Sequence, residues 1–184
     1  MAAPNPIMFS GGSTGRWSIR SITPVRGACV PPAVRLDVSD ATAAMLRPAL
    51  WRFRGVSSHL HYTTRAEADA LAGSSAPANR PDATFAALIP IKKSAAWWAL
   101  AQDERREILA EGSRHVAIGM EYSAAITRAL FHGRAICDQF DFVTWFEYPP
   151  EDEPRFEELV GRLRATPEWT YVEREIDLRL ALAG

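Results

Sequence analysis

Four histidines carry most of the chemistry this sequence can offer: His59, His61, His115 and His132. His59 and His61 are two apart, so on a strand they share a face. Such a pair can hold a metal only with a third ligand, and no HExxH or other complete set accompanies it. Solvated or hydrogen-bonded side chains are the simpler reading. His115 follows the polar run Gly112-Ser113-Arg114, and Arg128 lies thirteen residues on, among Ile126, Ala129 and Leu130. A guanidinium in so apolar a stretch is costly to bury without an anionic partner. A structural carboxylate and an anionic substrate both satisfy that demand. Trp97-Trp98 beside Lys92-Lys93 suit a core with a charged rim. They equally suit the frame of a flat aromatic cofactor whose carboxylates need a cation. Cys29 and Cys137 form no CxxC pair, and read as two reduced, partly buried thiols of a cytoplasmic protein.

The chain that must position these groups has 184 residues, 47% of them hydrophobic. That is enough for one domain, or for two sub-domains sharing a core. A net charge of −1 provides no field for nucleic acid or an anionic membrane surface. No apolar run approaches a membrane span, and residues 1–10 lack the basic-then-apolar order of a secretory leader.

Residues 1–16, with a Gly/Ser cluster over 11–15, read as an arm and loop. The cluster lacks both the Walker lysine and GxGxxG spacing, so a plain turn is expected there. Alternation predicts a strand over 17–25; a second strand is expected over 55–64 and a third over 83–91, which is richly apolar. Residues 26–48, with Gly27, Pro31, Pro32 and Pro48, read as mostly irregular. A short helix is expected over 65–72 and a loop over 73–82. Ser94 as a cap and Gly112 as a stop bracket a helix over 94–111. Residues 116–135 fit helix or interrupted strand equally. Residues 140–148 alternate as a strand, and 153–165 show the helical stripe Phe156, Leu159, Val160, Leu163. Residues 171–182 alternate again. Strand, helix, strand thus occurs near 55–91 and near 140–182, which suggests an α+β fold of two ferredoxin-like halves.

Four segments carry a more specific signal. Ile89-Pro90-Ile91-Lys92-Lys93-Ser94-Ala95-Ala96-Trp97-Trp98, the His115/Arg128 spacing, Phe140 to Tyr148 (FDFVTWFEY) and Thr166 to Val172 (TPEWTYV) resemble the chlorite dismutase family. Their order and spacing are similar to its short-chain branch, whose first half is truncated. The likeness is strong over 55–182 and weaker over 9–25.

The resemblance implies a dimeric α+β barrel of two ferredoxin-like halves, a truncated one over 1–93 and a haem-binding one over 94–184. It implies a strand within 116–135. It implies haem b, held without thioether links because no CxxCH is present, with His115 as axial iron ligand and Glu168 accepting a hydrogen bond from Nδ1. Arg128 would lie over the open iron face, with Thr144 and Phe146 lining the distal pocket. Lys93, Trp97, Trp98 and Tyr62 would sit at the haem edge and propionates. The implied reaction converts chlorite to chloride and dioxygen, in a homodimer that engages neither nucleic acid nor membrane. Coproheme decarboxylase shares the fold, but Arg128 is not expected there; a haem carrier without activity is the remaining alternative. Two positions depart from the branch. Ser123 stands where leucine is frequent at the distal pocket, and His61 stands where arginine or asparagine is expected.

Overall fold

The computed structural model describes residues 6–40, 48–57, 82–136 and 138–184. Their strands are β1 (Ile7–Gly12), β2 (Trp17–Arg26), β3 (Arg35–Asp40), β4 (Trp51–Ser57), β5 (Phe85–Lys93), β6 (Thr127–His132), β7 (Phe142–Tyr148) and β8 (Val172–Leu182). They close an antiparallel barrel in the order β1-β3-β2-β8-β5-β7-β6-β4, with β4 returning to β1. Closure leaves no free sheet edge among the described strands. The first four strands and the last four each follow the same order: fourth, first, third, second. The two quartets join along β2–β8, from Trp17↔Leu182 to Arg26↔Glu175, and along β4–β6.

Alternation fills the barrel from every side. Phe9, Trp17, Phe53, Phe140, Val143, Trp145, Ile176 and Leu178 meet inside it. Most outward residues of β5 and β7 are buried as well. Ala87, Ile89, Ile91, Phe146 and Tyr148 form a second cluster with Phe156, Leu159, Val160 and Leu163. Burial on both faces explains why Phe85 to Ile91 is apolar without interruption. The last four residues of that cluster are the stripe of α4 (Glu153–Arg164), whose Phe156 stacks on Tyr148 at 4.5 Å.

Three expected elements need correction. Residues 1–16 contain β1, because Gly11 lies directly beneath the Trp51 ring and any Cβ there would collide with it. Gly15, at φ 148° against the Leu36 backbone, makes the turn that follows. Residues 26–48 contain β3, although Arg35–Asp40 carries only two apolar side chains. The helix expected over 94–111 is divided into α1 (Ala95–Ala99), α2 (Gln102–Arg106) and a π-helical turn (Glu107–Gly112). Ser94 does cap α1, accepting from Trp97 N at 3.4 Å. The break lies at Leu100 and Ala101, both extended, at ψ 148° and 166°.

Residues 116–135 hold both structures the pattern allowed: α3 (His115–Glu121), then β6. The strand expected over 55–64 begins earlier, at Trp51, and its later part lies outside the described residues, as do the helix over 65–72, nearly all of the 73–82 loop, and Cys137. Cys29 is an exposed free thiol, not a partly buried one. Among the described residues no helix is long and apolar enough to cross a membrane.

Candidate functional site

The outward face of β5, β7 and β6 forms an apolar floor. Register places Thr144 between Ile89 and Leu130, and Phe146 opposite Arg128. Thr144 and Phe146, expected to line the pocket, are both buried in this floor. Arg128 and His132 stand on the same face of β6, with Leu130 between them. His132 pairs with Phe142, and its ring meets Phe142 edge-on at 5.2 Å.

Above the floor, α3 begins at His115. Its preceding residue, Arg114, is left-handed at φ 49°, ψ 34°, and is the only non-glycine residue with positive φ among those described. Such a conformation costs about 1–2 kcal/mol, and strain of this kind persists where surrounding structure imposes it. Here it turns the chain so that His115 enters the interior at 9% exposure. His115 Nδ1 lies 2.8 Å from Glu168 Oε2. Glu168 sits in a 3₁₀ turn, Pro167–Tyr171, and its backbone N–H donates to Ser113 Oγ at 3.0 Å. Ser113 thus ties that turn to the residue just ahead of α3.

The other carboxylate oxygen of Glu168 accepts from Lys93 Nζ at 2.7 Å. A register shift between Lys92 and Lys93 lets β5 deliver this side chain, and Lys93 N donates to Asp141 Oδ2 at 2.7 Å. The carboxylate can only accept, so Nδ1 of His115 carries the proton and Nε2 presents a lone pair. That lone pair accepts from Arg128 Nη2 at 2.9 Å. Arg128, His115, Glu168 and Lys93 therefore form one hydrogen-bonded chain.

The charges in this chain do not cancel, since two cations share one carboxylate. Burial alone pushes the Glu168 carboxyl up, but the His115 ring and the Lys93 ammonium together hold it at about 2. Burial lowers both Lys93 and Arg128, against the pull of Glu168. Asp141 and Glu175 also act on Lys93, so the unmatched positive charge lies towards Arg128, where an anion is favoured.

Several features fit a planar, carboxylate-bearing tetrapyrrole. His115 offers one unprotonated nitrogen whose tautomer is fixed from behind. Gly119, one turn along the same helix face, leaves that face flat: a Cβ there would stand 3.4 Å from Arg128 Nη1. The buried Trp97 Nε1 and Arg128 Nε are N–H donors with no acceptor among the described residues. Binding iron at Nε2 requires one rearrangement, the retreat of the Arg128 guanidinium from that nitrogen.

The structure thus brings together His115, Glu168, Arg128, Thr144, Phe146, Lys93 and Trp97. The ammonium of Lys93, expected at the haem edge, is held against Glu168 and lies 4.7 Å over the Trp97 ring. Trp98 sits farther out, donating to Asp141 Oδ2 at 3.3 Å and stacked on Phe142. Ser123 lies in the turn after α3, where its hydroxyl donates to the Met120 carbonyl at 2.8 Å. Tyr62, His59 and His61 fall outside the described residues. Ser113, Gly119 and Asp141 were missed by sequence reasoning. Ser113 alone left a signal, as a polar residue two places ahead of His115.

Comparison with known proteins points to one family. Residues 36–182 match the family described as chlorite dismutase. A chlorite dismutase from Ideonella dechloratans is 32% identical over 119 residues, 64% of this chain and 40% of that protein, so the chain spans about two fifths of its length. A dimeric chlorite dismutase from Nitrobacter winogradskyi is 51% identical with a TM-score of 0.90, over 96% of this chain and 99% of its own. A mutant chlorite dismutase from Candidatus Nitrospira defluvii, 19% identical, superposes at a TM-score of 0.71 over 98% of this chain and 93% of its own, which speaks to the fold. Sequence and fold agree: the chain belongs to the chlorite dismutase family.

Proposed function

We propose that the chain is a haem b enzyme that converts chlorite to chloride and dioxygen. The observation that carries this reading is the His115–Glu168 pair, whose geometry leaves His115 Nε2 as a lone pair facing Arg128. His115 Nε2 would hold the iron, and Glu168, by accepting from Nδ1, would strengthen the imidazole as a donor. When bound, the haem supplies the redox centre for the reaction. Arg128 holds the chlorine oxyanion by charge-assisted hydrogen bonds and keeps it from escaping. Thr144, Phe146 and Leu130 keep water away from that side. Trp97 Nε1 is the donor suited to a propionate, with Trp98, Tyr62 and Ser123 assigned to the haem edge, the rim and the distal pocket by resemblance.

The two quartets read as ferredoxin-like halves, the first truncated where residues 13–16 join β1 to β2 in place of a helix. The divide then falls ahead of Phe85, so β5 goes with the haem-binding half and not with 1–93. The likeness to the dimeric Nitrobacter protein supports a homodimer, which we place in the cytoplasm.

An oxygen-electrode trace with chlorite on the haem-loaded protein tests the reading. Oxygen release from chlorite is the expected result. Haem binding without oxygen release would leave a carrier, and propionate loss from coproheme would make it a decarboxylase.

A further inference from the structure

We infer that Trp169 is a positioning residue that fixes the tilt of the His115 ring; the inference rests on the reading of His115 as axial ligand. One hydrogen bond cannot orient an imidazole by itself. The bond from Nδ1 to Glu168 Oε2 sets the direction of one ring atom, but the ring can still rock about that axis. A second, planar constraint removes this freedom. The Trp169 ring lies nearly parallel to His115, at 14° with centroids 6.3 Å apart, within the range where ring pairs attract.

Trp169 is itself locked. Its Nε1–H donates at 2.7 Å to Oε2 of Glu175, a carboxylate only 1% exposed. Arg164 Nε donates to the other oxygen of Glu175 at 2.8 Å. Lys93 Nζ stands 5.4 Å over the Trp169 ring, so the ammonium that grips Glu168 also holds the indole. The chain of contacts runs from α4 through β8 to the indole and on to the imidazole. Glu168 fixes which nitrogen faces the iron, and its sequence neighbour fixes how squarely it does so.

The test is the iron–imidazole stretching band of the ferrous, haem-loaded protein, measured by resonance Raman together with the haem dissociation rate. Trp169→Leu removes the plane: the band shifts and broadens, and haem leaves roughly tenfold faster, as is typical when support for a metal ligand is lost. Trp169→Phe keeps a ring but loses the Nε1–H lock: the band stays at its wild-type position and broadens. Wild-type width in both variants overturns the inference, and in Trp169→Phe alone if the leucine variant does not fold. If wild type shows no such band, or His115→Ala retains it, the axial assignment fails instead.

Discussion

The two faces of β5, β6 and β7 share one backbone and do opposite work. Inward, the barrel is filled by aromatic packing: Phe53 on Phe140 at 5.0 Å, Trp17 on Trp145 at 5.4 Å, Phe9 on Phe131 at 5.3 Å. Outward, the same strands carry an apolar floor with the half-buried Arg128 and the buried Lys93, facing the buried Glu168 and His115. The inner face gains stability from removing apolar surface from water. The outer face holds charge where charge is costly, and the hydrogen-bonded chain offsets that cost. A period of two keeps the two tasks on alternate residues, so each can change without the other.

This separation can be broken deliberately, beginning with the largest effect. His115→Ala should abolish tight haem binding while the barrel still folds, read by the Soret band and by circular dichroism. Phe53→Ala, with the side chain fully buried inside, should cost about 3–5 kcal/mol of stability yet leave the haem spectrum of the folded fraction unchanged. A shifted Soret band in that variant would show that the faces are coupled. Arg128→Ala should keep haem and lower oxygen released per chlorite consumed by on the order of 10²-fold, measured with a hypochlorite trap present. Arg128→Lys should recover part, because an ammonium keeps the charge but not the planar fork. Full yield in Arg128→Ala would make the arginine structural.

Glu168→Gln sharpens the comparison at a smaller scale. It should retain haem and raise the ferric/ferrous midpoint potential, because a weaker acceptor at Nδ1 leaves the imidazole a poorer donor. The same carboxylate has a pH signature. Its folded value of about 2 lies below the ordinary 4.5, so its contribution to stability is whole above pH 4.5 and is lost as pH falls through 2. Acid titration of wild type should show this component, and Glu168→Gln should lack it. Removing Cys29 and Cys137 together should leave haem content and oxygen release near wild type; a large loss would give the thiols a role that nothing in the fold suggests.

How far the sequence could be read follows from where the physical signal lies. The floor was legible because Phe142, Phe146 and Tyr148 share a face at a period of two, with Thr144 between them. The stripe of α4 was legible through its own period, with Phe156, Leu159, Val160 and Leu163 at helical spacing. β1 and β3 were not, because their burial comes from closing the barrel and not from their own side chains. Gly11 looks like a loop residue until Trp51 is placed over it. The break in the 94–111 helix is a tertiary decision, made where Trp97 is buried and Trp98 reaches Asp141. The His115–Glu168 pair, 53 residues apart, was accessible only through resemblance. Resemblance did not pair Lys93 with Glu168 across 75 residues, since no local period links a strand end to a distant turn.

The position of β8 has a kinetic consequence. Its neighbours in the ring are β2 and β5, strands made from residues 17–26 and 85–93. Both pairings close long loops, and loop-closure entropy must be met before such contacts contribute, which slows folding towards the millisecond-to-second range. Until β8 docks, β2 and β5 are open edges able to recruit other chains. Glu168 lies four residues ahead of Val172, where β8 begins. If β8 is the last strand to pair, it brings Glu168 with it, and on the proposed reading haem capture would report completion of the ring.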